Sequence, residues 1–586
     1  MCGIFAYIGN KENAANIALE GLKILEYRGY DSWGVAVKNG SNLVVDKHVG
    51  KIGNATVTLP KSNLAIGHTR WATHGGVTVA NSHPHLDCKK EIAVVHNGIV
   101  ENYEELKNAL IKKGHIFVSE TDTEIIPHLI EENLKTEGFA TAVRKTFSEL
   151  RGLNAIVASF APSSQIVAVK NGSPLVVGIG TNELYLASDI SSFIEKTRRV
   201  IFLKDNEMVI LGADVELVSA VNGKQLEVKP ETVTWKFELS TKGKFPHFMI
   251  KEIYEQSTII RNIANTYEDE ITALSKLVKK AKGTFFIGAG TAFNAGLTGV
   301  YLFSKIAGMH INSALASEFN YLEHFLNKES LVIALSQSGE TIDVIEPLNR
   351  ARAKGSKIVA ITNVLGSSIY RMADFKILLG AGPEKAVAST KAYIAKLAVL
   401  FMLVFGIVGK TRDAKKLLLA SADEIDRILE KKNADAIKKI AQYLSKASNI
   451  YIIGRGASYP SALEAALKIK EVTYIPTEGL AGGELKHGTI ALISKGTPVI
   501  VFAPNDETRE SILSNAIEIK SRGGLIIGVA PQNEPVFDHF LEVKDIQEAS
   551  YIAQIVAIQL LAYYMAVELK LDPDKPRNLA KSVTVK

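Results

Sequence analysis

Cys2 follows only the initiator methionine. Once Met1 is removed, a single residue carries both a thiol and a free α-amine. The amine, with an ordinary pKa of about 7.7–8.0, can serve as a base near neutrality, and the thiol lies near about 8.5. Nucleophile and base then share one residue, the arrangement of N-terminal nucleophiles. Taken alone, a cysteine buried at a strand end is the alternative reading. A second signature is Ser336-Gln337-Ser338-Gly339-Glu340-Thr341, which follows an apolar run and precedes a helical pattern. Its hydroxyls and backbone N–H groups gather at a helix N-terminus, a natural cradle for a phosphate. A plain helix cap is the alternative there.

Other clusters argue for less. His83-Pro84-His85-Leu86-Asp87-Cys88, with His68 and His74 nearby, resembles part of a zinc set, which needs four ligands or three plus water. No second ligand cluster follows at typical spacing, so polar histidines lining a pocket are preferred and no metal is expected. Gly288-Ala289-Gly290 suggests a dinucleotide turn, but its third glycine position is Phe293, and Tyr459 in a related segment. No nicotinamide, flavin or other cofactor is expected.

These groups need elements to hold them. Runs such as Ile4–Ile8, Gly34–Val37, Ile92–Val95 and Ala155–Ala158 predict strands, and Asn102–Lys113 predicts an amphipathic helix. Such a mixture suggests stacked layers over the first part of the chain. A polar stretch around Ser240–Lys244 reads as a linker. Beyond it the rhythm becomes strand, glycine turn, long helix, and it repeats. Phe286–Phe293 returns as Ile452–Tyr459, and Leu331–Leu335 before Gly339-Glu340-Thr341 returns as Pro498–Phe502 before Asp506-Glu507-Thr508, both about 166 residues on. Two doubly wound α/β subdomains with mainly parallel sheets are expected. In the second copy Pro504 removes one N–H donor and Asp506 adds an anion, so one phosphate pocket and one altered half are expected.

Composition narrows the classes. At 586 residues, 47% hydrophobic and 22% charged, the chain reads as ordered globular protein of several domains. A net charge of +6 over that length does not imply nucleic-acid binding. Two cysteines, Cys2 and Cys88, cannot form a disulfide framework, and a reducing, cytoplasmic setting is expected. The run Leu397–Gly409 falls short of the roughly 20 residues a bilayer needs and reads as a core helix, so no membrane partner is expected. No secretory signal is evident, and Cys rather than Gly at position 2 excludes N-myristoylation.

Five segments occur in order: Met1-Cys2-Gly3-Ile4, Glu26–Ser32, Gly67–Gly75, His96-Asn97-Gly98 and Ser119–Glu124. Together they resemble the glutaminase domain of class II (N-terminal nucleophile) amidotransferases. The resemblance implies Asn97 and the Gly98 N–H as an oxyanion hole, Arg70 for the glutamine α-carboxylate and Asp122 for its α-ammonium. Trp71 and His74 are implied in the same pocket, with Trp71 as a gate for ammonia. The second part resembles the sugar-isomerase (SIS) fold. Val387–Lys391, Glu464 through Lys468 to Glu471, Gly483–Gly488 and the tail Pro576–Val585 extend the likeness over the whole chain. The chain as a whole resembles the isomerizing glutamine:fructose-6-phosphate aminotransferases.

That resemblance implies an N-terminal α+β four-layer Ntn-hydrolase (class II glutamine amidotransferase) domain followed by two α/β SIS subdomains. Boundaries are expected at 1–235, a linker 236–245, subdomains 246–430 and 431–575, and a tail 576–586 over the sugar site. It implies Thr291, Ser336, Gln337, Ser338 and Thr341 around the phosphate, with Val387 and Ser389 along the sugar. Glu471 is implied as the base between C1 and C2, and Lys581 near the C2 carbonyl. Glu464 and Lys468 are implied in support, and His487, offered by the other subunit of a homodimer, in ring opening. Ala292 stands where the family often has Ser. Glutamine and fructose 6-phosphate are the implied substrates, glucosamine 6-phosphate and glutamate the products. Another ketose phosphate as acceptor, or a non-catalytic glutamine and sugar-phosphate sensor, are the rival readings.

Overall fold

The computed structural model describes residues 2–233 and 241–583. Met1, residues 236–240 of the expected linker and residues 584–586 of the expected tail lie outside the described residues. The chain divides into two compact units, residues 1–237 with 582–586 and residues 238–581.

The first unit rests on two antiparallel sheets. Strand Gly3–Gly9 is apolar on both faces, because successive side chains point to opposite sides. Ile4 and Ala6 join Val95 and Val157 in a core between the sheets. Phe5 and Tyr7 pack instead with Leu19 and Leu22 of helix Ala14–Leu25. Beyond the other sheet, Ile92 and Val94 pack with Ile126 and Val143 of helices Ile125–Asn133 and Phe139–Glu149. The layers therefore run helix, sheet, sheet, helix. The eight-stranded sheet runs Glu231–Thr232, Arg199–Phe202, Val176–Ile179, Glu183–Ala187, Gly3–Gly9, Leu64–Arg70, Ser32–Asn39, Asn42–Val49. In it Gly3 sits opposite Thr69, so Cys2 arrives beside the end of strand Leu64–Arg70. In the seven-stranded sheet, strand Ile92–Gly98 lies between His85–Leu86 and Asn154–Phe160. The expected helix over Asn102–Lys113 forms as Tyr103–Lys112.

The second unit holds two five-stranded parallel sheets of the same order, and the repeat is visible in their topology. One runs Asn312–Leu315, Gly283–Gly288, Ser330–Ser336, Lys357–Thr362, Phe375–Leu378. The other runs Thr477–Ala481, Ile450–Gly454, Pro498–Phe502, Leu525–Ala530, His539–Glu542. In each, the first strand in sequence lies between the second and the third. Chain direction across the sheet therefore reverses at the first and third strands, where doubly wound folds bind ligands at the carboxyl ends. Helices Lys391–Ile407 and Ser550–Glu568 lie in one apolar core with residues of both sheets. Residues 397–407 of the expected core run are helical and inside that core. The segment Gln547–Glu568 is long and apolar enough by composition to cross a membrane, yet 89% of that window is buried inside the protein.

Candidate functional site

Cys2 stands at the head of a central strand, half-buried, with its sulfur against the next strand's exit. The Trp71 N–H donates to Cys2 Sγ at 3.3 Å, and the thiol approaches the Trp71 carbonyl at 3.5 Å. The neighbouring backbone is pinned by two hydroxyls: Gly3 N–H donates to Thr69 Oγ1 (3.1 Å) and Ile4 N–H to Ser188 Oγ (3.0 Å). The Asn97 side-chain amide donates to the Cys2 carbonyl at 3.1 Å and to Ser188 Oγ at 3.1 Å. His68 Nε2 lies 3.0 Å from Asn97 Oδ1 and 3.1 Å from the His96 carbonyl, both acceptors, so that nitrogen carries the proton. His68 thus fixes which end of Asn97 faces Cys2. Burial keeps the ring neutral, drawing its pKa down to about 3. Gly98, with φ +153°, has no room for a side chain, since a Cβ would lie 2.4 Å from the Leu153 carbonyl.

Arg70 is buried at the end of its strand. Its guanidinium donates to the carbonyls of His74, Gly75 (3.2 Å) and Gly76 (3.2 Å), which folds the loop back over it. Burial lowers its pKa, opposed by Cys2, Asp122 and Asp31. Asp122 accepts from the Val100 N–H at 2.7 Å. Trp71 and His74 are half-buried on this loop, and the His74 ring packs edge-on against Tyr103. Asp31 accepts from the Ala72 N–H at 2.8 Å and braces the loop. His83, His85 and His96 knit neighbouring strands and turns together. His83 stacks on His68, His85 reaches Thr121 Oγ1 at 3.0 Å, and His96 bridges Thr123 Oγ1 and Asn154 Oδ1, each at 2.9 Å. Burial lowers the pKa of His83, His85 and His96 as well.

In the second unit, Thr291 opens the helix after strand Gly283–Gly288, and the turn Ser336–Thr341 leaves the adjacent strand. Ser336 Oγ accepts from Gly339 N–H (3.0 Å), Ser338 Oγ from Glu340 N–H (3.1 Å), and Thr341 takes the N-cap position of helix Ile342–Ala353 without a side-chain capping bond. Gln337 holds the turn through its carbonyl, which accepts from Asn363 N–H at 3.1 Å. Gly339 adopts φ +66° against Ser367, whose Oγ lies 2.0 Å from where a Cβ would stand. The Glu340 carboxylate accepts from Ser368 N–H at 2.8 Å.

Helix Ser458–Thr473 of the second copy supplies a row of charges one turn apart. Glu464 and Lys468 are fully buried; Lys468 Nζ lies 3.5 Å from Glu464 and 2.5 Å from Glu471. Glu464 accepts from Thr291 Oγ1 (3.0 Å) and Asn294 Nδ2 (2.8 Å), and Lys468 donates to Thr291 Oγ1 (3.0 Å). Thr291 therefore bonds to this carboxylate and ammonium, which occupy the hydroxyl expected at the phosphate. Burial raises Glu464, while Glu471 and Glu464 outweigh burial and keep Lys468 charged. Nearby, Lys581 Nζ binds Glu384 Oε2 at 2.5 Å and the Ala386 carbonyl at 2.8 Å. Ser389 Oγ donates to the same carboxylate at 3.0 Å, and buried Val387 donates its N–H to the Asp574 carbonyl at 3.0 Å. His487 is exposed at the end of the short helix Gly482–His487.

A glutamine amidotransferase domain model matches residues 68–195, and an SIS domain model matches 277–405 and 443–569. Glutamine–fructose-6-phosphate aminotransferase (isomerizing) from Thermococcus kodakarensis is 42% identical over 608 aligned residues, covering 100% of both chains. Its counterpart from Methanothermobacter thermautotrophicus is 43% identical, again over 100% of both. The chain belongs to the isomerizing glutamine–fructose-6-phosphate aminotransferase family. The solved C-terminal domain of the Francisella tularensis aminotransferase aligns at TM-score 0.51 and 31% identity, covering 57% of this chain and all of that one.

Several buried charges of this aminotransferase-family chain carry no motif. Glu384 accepts from Thr390 and Ala392 N–H groups and so shapes the segment bearing Ser389. Burial would raise its pKa, but Lys581 holds the carboxylate down at about 2. Glu252 accepts from Ala386 N–H at 3.2 Å; burial and then Glu384 push it up to about 8. Burial pulls Lys396 down to about 8 despite Glu384 and Glu464. Glu384 adjoins the quoted Val387–Lys391 segment, the one signal that could have found it.

Proposed function

We propose that this chain transfers the amide nitrogen of glutamine to fructose 6-phosphate and isomerises the product to glucosamine 6-phosphate, releasing glutamate. With Met1 gone, the α-amine takes the Cys2 proton and the sulfur attacks the amide carbon. The tetrahedral oxyanion forms against Asn97 Nδ2 and the Gly98 N–H, donors of a kind worth several kcal/mol in a dry site, about 3 for one removed. Ammonia leaves, and water opens the thioester to glutamate. Arg70 receives the α-carboxylate and Asp122 the α-ammonium, with Trp71 and His74 closing the pocket. On the sugar side the turn Ser336–Thr341 holds the phosphate at a helix N-terminus. Ammonia adds at C2 of the open-chain ketose near Lys581, water is lost, and Glu471 moves the proton between C1 and C2, as a carboxylate can without metal. Lys468, 2.5 Å from Glu471, holds its carboxylate in place. His487, exposed, serves ring opening from a second copy of the chain in a homodimer.

What carries this reading is the coexistence, in one chain, of a Cys2 whose carbonyl accepts from the Asn97 amide and a Glu471–Lys468 pair on the helix that bonds Thr291. Incubation with amide-15N glutamine and fructose 6-phosphate tests it by mass spectrometry. Labelled glucosamine 6-phosphate is expected. Glutamate formed without any labelled amino sugar would overturn the assignment, and amination confined to another ketose phosphate would replace the acceptor.

A further inference from the structure

Cys88 does not join His83 and His85. It turns away after strand His85–Leu86 and meets His115, from the turn after helix Tyr103–Lys112, and His128 and Glu131, one turn apart on helix Ile125–Asn133. We propose that Cys88, His115, His128 and Glu131 bind a structural zinc ion. Cys88 Sγ lies 3.5 Å from both His115 Nδ1 and His128 Nδ1, and those two nitrogens are 3.3 Å apart. Glu131 Oε2 lies 3.2 Å from His115 Nδ1 and 3.7 Å from His128 Nδ1. All four ligand atoms fall within 4.8 Å of one another.

Bonds of about 2.3 Å to sulfur and about 2.0–2.1 Å to nitrogen or oxygen, at tetrahedral angles, put neighbouring ligand atoms about 3.3–3.6 Å apart. The four side chains already stand at nearly that spacing. One sulfur, two imidazole nitrogens and one carboxylate oxygen suit zinc, and an octahedral all-oxygen set for magnesium or calcium is absent here. A thiolate and a carboxylate with two neutral imidazoles balance a divalent charge. The outer partners fit as well. His115 Nε2 meets Glu132 Oε1 at 2.9 Å, the carboxylate–histidine pairing that orients a metal ligand, and Cys88 N–H donates to Glu131 Oε2 at 3.2 Å. His115 and His128 are buried and Cys88 is exposed, so an ion has a route in from solvent. Four protein ligands leave no open position, which makes the ion structural. It would tie together three segments far apart in sequence and anchor the helix that starts three residues after Asp122.

The full-length protein, expressed with zinc in the medium and purified without chelator, should carry about one zinc per chain by mass spectrometric metal analysis. Cys88→Ser and His128→Gln should each lose it. Chelation should lower the wild-type melting temperature and zinc should restore it. Should the variants not fold, cobalt titration of chelated wild-type protein decides: a thiolate-to-cobalt charge-transfer band and the strong visible bands of a tetrahedral ion are expected. Wild-type protein with less than about a tenth of an ion per chain and no cobalt bands overturns the proposal. So do cobalt bands that persist unchanged in Cys88→Ser.

Discussion

The turns Ser336–Thr341 and Pro504–Thr508 leave the third strands of two sheets built to one plan, and they treat a helix N-terminus in opposite ways. In the first, serine hydroxyls accept the turn's N–H groups, Gly339 takes a left-handed conformation, and Glu340 spends its carboxylate on Ser368. In the second, Asp506 accepts from both the Thr508 N–H (2.9 Å) and the Thr508 hydroxyl (2.6 Å). The second copy carries its own anion, Asp506, at the position that Gly339 takes in the first. It is the second copy's first helix, however, that provides Glu464, Lys468 and Glu471, and these bond Thr291 of the first. If the first turn holds the sugar phosphate as proposed, duplication divides the labour: one repeat binds and the other brings the acid–base groups.

The hardest test of that division is Lys468→Met. Removing the ammonium leaves Glu464 buried and Glu471 unpaired, and a loss of about 3–5 kcal/mol in unfolding free energy is expected from denaturant titration. Sugar isomerisation should vanish with it; near wild-type stability would show the pair to be dispensable. Next in size, Ser338→Asp puts an anion into the first turn, imitating the second. Sugar-phosphate affinity should fall about 100-fold, roughly 3 kcal/mol, while glutamine hydrolysis persists. Unchanged affinity by calorimetry would move the phosphate elsewhere.

The buried charges bracing the first repeat give a pH signature of intermediate size. Glu252 holds its proton more tightly folded than unfolded, so the native state binds more protons between about pH 4.5 and 8. Its contribution is present below that window and is lost as pH rises through it, by at most about 1.4 kcal/mol per pH unit. Glu252→Gln should flatten that slope in unfolding curves measured across the window; an unaltered slope would assign it to other groups. The smallest effect belongs to the second turn. Asp506→Ala removes two hydrogen bonds to Thr508, just ahead of helix Arg509–Lys520, and should cost about 1 kcal/mol without changing the KM for sugar phosphate. A raised KM would mean that the altered half still takes part.

Much of this was legible because it is written locally. The short apolar runs Ile4–Ile8 and Ile92–Val95 mark buried strands, and the paired glycine turns mark both parallel sheets. Glu464, Lys468 and Glu471 are one helical turn apart, so their common face follows from spacing. What escaped depends on distant segments meeting. The sequence groups Cys88 with His83 and His85, although His128 and Glu131 are spaced to share a helix face, because His115 meets Cys88 only through the fold. Glu252 sits far in sequence from Glu384 and Lys396 and joins them only through the fold, which brings it to the Ala386 N–H. The apolar run of helix Ser550–Glu568 is interrupted by Gln554 and Gln559, which hides it in the sequence; the side-chain carbonyl of buried Gln559 accepts from Gln256 at 2.8 Å.

The bonds from Thr291 and Asn294 to Glu464 also bear on how such a chain evolves. Once the carboxylate and ammonium of the second repeat are sealed against the first, the second half alone would have to rehydrate them, and the first would lose the partners of Thr291 and Asn294. Separating the halves would leave two incomplete proteins, so the fusion acts as a ratchet: either copy can diverge further, and neither can return to independent life.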